Sequence, residues 1–197
     1  MRSLAFLTIA LIFAGCGQPA PDDSATAPVA DNSFSEVAAT PTAGTVAPAR
    51  SSQYSPIDDK SCRTIEEDEE TGDWIGACPG LAGYQLEWSI SDLRDDLTII
   101  DGKARTQLSI PSLVANGAFD SLGAKAEWRG PTGGRPDVLI VRVHVANAEG
   151  KSDSGRLAIA RMMPKPCLVG IVPPGAGQSD RARAIADGKL PDCLEKN

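Results

Sequence analysis

The clearest periodic signal in the chain is at residues 138–145, where Val141, Val143 and Val145 alternate with Arg142 and His144. A period of two puts the valines on one face of a strand and the polar pair on the other. The pattern predicts that this strand pairs with residues 156–163 across a polar turn at 147–155. Residues 62–67 and 73–78 flank Asp68-Glu69-Glu70-Thr71-Gly72 and read as an earlier hairpin. Shorter strands are expected at 84–90 and 97–100, separated by the polar run from Ser91 to Asp96. Residues 167–172 make a last strand, which Pro164 and Pro166 confine to an edge or a bend. Only residues 180–187 carry a convincing helical pattern, with Ala182, Ile185 and Ala186 facing inward, Ser179 placed to cap the start, and Gly188 and Pro191 ending it. The fold class that follows is α+β, mainly antiparallel sheet: a small sandwich or partly open barrel with a short C-terminal helix.

Two segments ahead of that domain pattern differently. Residues 1–15 begin with Met1-Arg2-Ser3, run apolar from residue 4 to 14 apart from Thr8, and reach Gly15 and Cys16. This is the layout of a secretory signal peptide. At about 1.5 Å per residue the apolar run covers roughly half of a ~30 Å hydrocarbon core, so cleavage is expected rather than a membrane span. Phe13-Ala14-Gly15-Cys16 resembles the lipobox of bacterial lipoproteins, with Phe13 where Leu is usual. The resemblance implies lipidation of Cys16 and cleavage before it. Gly17 in the next position implies the outer membrane, facing the periplasm. Residues 17–57 are dominated by Ala, Ser, Thr and Pro and bury too little apolar surface to offset chain entropy. Together with Cys16 they are expected to form a disordered tether, residues 16–57, with a reach of roughly 35 Å.

Residues 58–197 remain as one domain of ordinary size. Loss of Arg2 with the leader takes the net charge from −7 to −8; the tether holds −3 of this and the domain −5. An acidic domain argues against nucleic acid and anionic lipid surfaces as partners and suits a basic protein. With Cys16 assigned to lipid, Cys62, Cys78, Cys167 and Cys193 are left, an even number that suits an oxidising compartment. A hairpin centred on residue 70 sets Cys62 opposite Cys78, which leaves Cys167 to pair with Cys193.

The order of landmarks, Cys62, Trp74, Cys78-Pro79-Gly80, Gly83-Tyr84, Ser91-Asp92-Leu93-Arg94, Phe119 to Gly123, Glu127-Trp128-Arg129 and the closing Cys167 and Cys193, resembles a family of small exported bacterial proteins of unassigned function. The resemblance implies the same two disulfides and no activity. In layout alone, a lipid-anchored, acidic, disulfide-stapled β-domain is similar to the periplasmic inhibitors of lysozyme.

Candidate chemistry is thin. His144 is the only histidine, so nucleophilic triads would rest on one residue, and it reads as a sheet residue beside Arg142. Because polar sheet faces also bind partners, Arg142 and His144 are candidate binding-surface residues. So are Trp128 and Arg129, which precede the glycine-rich loop 130–134. Glu66, Glu67, Asp68, Glu69, Glu70 and Asp73 crowd the first hairpin, but lack the alternation and fixed glycine of a calcium loop, so no metal is expected. Asp92, Asp95 and Asp96 around Arg94 read as a turn with a local ion pair. The Pro173 to Ser179 stretch lacks the Lys-Ser/Thr ending of a phosphate loop and reads as a turn. No acid, base and nucleophile set emerges, and no cofactor is expected. The expected function is a lipid-anchored, non-enzymatic binding module, in its sharpest form an inhibitor of a basic hydrolase such as lysozyme. A structural or assembly lipoprotein of the cell envelope is the alternative, and a hydrolase ranks last.

Overall fold

The computed structural model describes residues 49–151 and 155–195; the leader, Cys16 and most of the expected tether lie outside the described residues. The elements in chain order are β1 (Arg50–Pro56), β2 (Arg63–Asp68), β3 (Asp73–Cys78), β4 (Tyr84–Ser91), β5 (Arg94–Asp101), β6 (Ala104–Gln107), α1 (Ile110–Leu113), β7 (Asp120–Pro131), β8 (Val138–Val145), β9 (Arg156–Arg161), β10 (Cys167–Val172) and α2 (Gln178–Asp187). They build two five-stranded antiparallel sheets, ordered β1-β7-β8-β9-β10 and β2-β3-β4-β5-β6. Neither closes into a barrel.

The second sheet is a meander, each strand paired with the next through a short turn. At the β4–β5 turn Asp92 and Leu93 both take positive φ, 50° and 57°. That backbone matches the twist of a two-residue hairpin. The run from Ser91 to Asp96 is therefore mostly strand: β4 extends to Ser91 and β5 resumes at Arg94. As expected, Arg94 and Asp92 form a local ion pair.

One core lies between the sheets, with Leu86, Leu97 and Ile99 from the meander against Trp128, Leu139, Val141 and Val143 from the other sheet. A second cluster covers the far face of the first sheet, where Val138, Ile140, Leu157 and Ile159 meet Ala182 and Ala186 of α2. Strand β8 is thus covered on both faces. This explains why its sequence starts as a continuous apolar run, Val138-Leu139-Ile140-Val141, before it alternates. Both expected disulfides are present, Cys62–Cys78 and Cys167–Cys193.

Two local expectations differ from the structure, and one strand lacks a pattern that would predict it. Residues 50–56, assigned to the tether, form β1 on the edge of the first sheet. Strand β7, the longest, carries no strong pattern because a register shift between Leu122 and Ala126 breaks its alternation. Helix α2 starts at Gln178, capped by Gly177 at φ 65° without a side-chain cap, in place of the expected Ser179. Strand β10 lies on an edge, as the flanking prolines require. Among the described residues no helix is long and apolar enough to cross a membrane.

Candidate binding site

The four residues singled out from the pattern do not share an exposed face. Trp128 is core, 1 % exposed, and its indole N–H donates to Ser55 Oγ at 2.8 Å. Closeness to the glycine-rich loop 130–134 does not bring Trp128 to the surface: Ala126 and Trp128 point to the core, and Glu127 and Arg129 point outward. Arg129 donates through Nε and Nη2 to both carboxylate oxygens of Asp187 on α2, and through Nη1 to Ser52 Oγ. Arg142 is half-buried, with Nη1 donating to Gln178 Oε1 at 3.0 Å at the start of α2. His144, also half-buried, lies beside Gly155. The polar face of β8 is therefore a helix-docking face.

The same holds for the rest of the α2 interface. Arg50 pairs with Asp137 and Asp187, and Arg183 pairs with Glu127 and donates to the Tyr54 hydroxyl. Glu127 is buried enough that desolvation alone would raise its pKa. Hydrogen bonds from Arg183 and Ser52 and the nearby guanidiniums outweigh it and hold the carboxylate below its ordinary range. Asp187 is likewise lowered, first by Arg129. On this side of the molecule acids and bases are matched.

Three further carboxylates are buried where the two sheets meet. Asp96 Oδ1 accepts from the backbone N–H groups of Leu97 and Ile110, and its Oδ2 accepts from Gln107. Asp95 Oδ2 accepts from the N–H of Leu122, and Asp120 Oδ1 accepts from the N–H of Asp95, a reciprocal brace between β5 and β7. Asp120 Oδ2 is buried without a hydrogen-bond partner, and desolvation, reinforced by Asp95 and Asp96, pushes the Asp120 pKa up to about 6. Burial raises Asp95 and Asp96 as well. These groups hold loops in place.

The β2–β4 side of the meander is built differently. Cross-strand register places Trp74, Gly76 and Cys78 of β3 opposite Ile90, Trp88 and Leu86 of β4. The face that carries Leu86 into the core therefore continues outward through Trp88, Ile90 and Trp74. Gly76 is what lets Trp74 lie down: a Cβ there would sit 2.1 Å from its indole. Trp74 packs edge-on against Trp88 at 5.0 Å between centroids and donates its Nε1–H to Thr64 Oγ1 at 3.0 Å. Together with Asp59, Thr64, Glu67 and Ile90 the pair lines a cleft of about 250 Å³. A second cleft of about 190 Å³ lies against the same hairpin and is rimmed by Glu66, Asp68 and Asp73.

The charge here is one-sided. Residues 58–73 hold eight carboxylates against Lys60 and Arg63. Among the described residues none of the eight enters an ion pair. Asp58 and Asp68 accept hydrogen bonds from their own turns, Asp58 chiefly from Ser61 and Asp68 from the N–H groups of Glu70 and Thr71, and both are held below the usual carboxylate range. Every residue of β2 is exposed, and β2 is a sheet edge. Among the described residues no three His, Cys, Asp or Glu side chains converge as metal ligands would. The arrangement offers aromatic faces beside unpaired carboxylates, which suits Lys or Arg side chains. The acids and Trp74 stand out separately in the sequence. Their juxtaposition needed the strand register.

No family model matches the chain, and no curated protein or solved structure matches it.

Proposed function

We propose that this chain is an exported lipoprotein, held to the outer membrane through Cys16 and facing the periplasm, whose β-domain is a non-enzymatic binding module for a basic protein. The observation that carries the reading is the contrast between two surfaces of the domain. Arginines answer the acids under α2, whereas among the described residues the eight carboxylates of residues 58–73 have no ion-pair partner, and two of them, Asp59 and Glu67, line the Trp74–Trp88 cleft. Unpaired surface charge of one sign steers an oppositely charged partner, and apolar contact in the cleft then slows its release. A basic hydrolase such as lysozyme is the sharpest candidate partner.

The test is calorimetric titration of the full lipoprotein, in nonionic detergent, with lysozyme and with a polylysine peptide. Binding at about 50 mM salt should weaken roughly tenfold or more by about 150 mM, as screening predicts. Replacing Trp74 with Ala, or Glu66, Glu67 and Asp68 together with their amides, should abolish it. Absence of a complex with both probes at low salt overturns the proposal. Binding that survives both sets of substitutions assigns the partner surface elsewhere and overturns the site.

A further inference from the structure

We propose that the Cys167–Cys193 bond is a thiol–disulfide exchange site, in which an external thiolate attacks Cys167 and Cys193 departs as a thiolate held by Arg161. The two disulfides sit in different surroundings. Cys62 and Cys78 are buried, 6 % and 5 % exposed. Cys167 and Cys193 are both half-buried and line an open cleft of about 260 Å³ with Arg161, Lys165 and Ser109. Arg161 Nη2 donates to Cys193 Sγ at 3.1 Å. Its Nε is buried without a hydrogen-bond partner, and among the described residues no carboxylate pairs with it. The guanidinium's charge is therefore directed at one sulfur of the pair and quenched by nothing else described.

The chemistry follows from that placement. A cation beside a cysteine lowers its thiol pKa, and the sulfur of lower pKa is the better leaving group in exchange. Lys165 and Arg161 also draw an incoming thiolate into the cleft. In the first step the external sulfur bonds to Cys167 Sγ, the Cys167–Cys193 bond breaks, and its electron pair goes to Cys193. If the reagent is a dithiol, its second thiolate then attacks the mixed disulfide. Cys167 leaves as a thiolate and takes a proton from solvent, and the dithiol departs as a disulfide. The dithiol is oxidised by two electrons and the chain is reduced by two. Cys193 sits on a segment without regular structure after α2, with Leu194 N–H bonded to Leu168 O at 2.8 Å. Reduction would remove the covalent link between that segment and β10.

The experiment is timed reduction of the intact oxidised protein by dithiothreitol without denaturant, with alkylation and mass spectrometry of each cysteine. Cys167 and Cys193 should become labelled about tenfold faster than Cys62 and Cys78, or more, and Arg161→Met should slow their release several-fold. Equal rates, faster loss of Cys62–Cys78, or a rate that Arg161→Met leaves unchanged or raises would overturn the proposal. Because Arg161→Met risks misfolding, a Cys167→Ser variant supplies an independent readout. The pH profile of Cys193 alkylation should show an apparent pKa at least about one unit below the ordinary ~8.5, and a midpoint at the ordinary value would also overturn it.

Discussion

Trp128 of β7 lies nearly parallel to Tyr84 of β4, ring centroids 5.8 Å apart and planes 17° from parallel, so that one aromatic stack joins the two sheets. Arg135 lies over the Tyr84 ring, its guanidinium carbon 3.8 Å from the centroid. Trp128→Ala should cost about 3–5 kcal/mol in urea unfolding, the usual range for a large buried aromatic. Ser55→Ala strands the indole N–H in the core and should cost about 1–2 kcal/mol without changing the slope of the transition.

Asp120 predicts an unusual pH dependence. Its pKa in the folded protein, about 6, lies above the ordinary 3.8, so the folded state holds a proton that the unfolded chain has already lost. Its contribution is fully present below the unfolded value and is lost as pH rises through about 6. Asp95 and Asp96 shift in the same direction. Glu127 and Asp187 shift downward and favour the fold until pH falls through their depressed values. Stability should therefore peak on the acid side of neutrality. Asp120→Asn keeps an oxygen for the Asp95 N–H, and should flatten the fall between about pH 4 and 6 and raise stability at pH 7 by on the order of 2 kcal/mol. Thermal melts from pH 4 to 8 on both proteins check it, and an unchanged profile in the variant refutes the assignment.

Gly76→Ala should displace the Trp74 indole, since the added carbon would meet it at 2.1 Å. A loss of about 1–3 kcal/mol is expected, with a red shift of tryptophan emission as Trp74 moves toward solvent. The same variant should lose affinity for the basic probes while keeping both disulfides.

Asp187 accepts from both Arg50 and Arg129. Asp187→Ala removes from α2 the carboxylate shared by Arg50 of β1 and Arg129 of β7. A cost of about 1 kcal/mol is expected, discounted because the carboxylate is about one-third exposed. The loss should shrink in high salt, and hydrogen exchange should rise first in β1 and α2.

Particular residues show where sequence pattern sufficed. Tight turns and alternation located the β2–β3 hairpin, and its register placed Cys62 beside Cys78. Those are local properties, written within a few residues of one another. Strand β1 was hidden because Arg50-Ser51-Ser52-Gln53-Tyr54-Ser55-Pro56 carries almost no apolar signal. Its outward Arg50 and Tyr54 meet Asp187 and Arg183 of α2, and its inward Ser55 meets an indole. Arg142 and His144 looked solvent-facing because alternation reports that two faces differ, not what covers each. The helix that covers this face arrives dozens of residues later in the chain. The Trp74–Trp88 cleft was invisible for a related reason: its walls come from separate strands, and only the pairing of Gly76 with Trp88 brings them together.

Like charges along a hairpin normally push its strands apart, and in dilute salt a run such as Glu66 to Glu70 would fray from the open end. Here the Cys62–Cys78 bond closes the base of β2 and β3 and shuts that escape. The mutual repulsion cannot relax by opening the ladder, so the negative potential stays fixed in space, projecting about a Debye length of ~8 Å into physiological medium. The Cys62–Cys78 bond thus fixes where a passing cation meets the domain's field, while screening sets how far that field reaches.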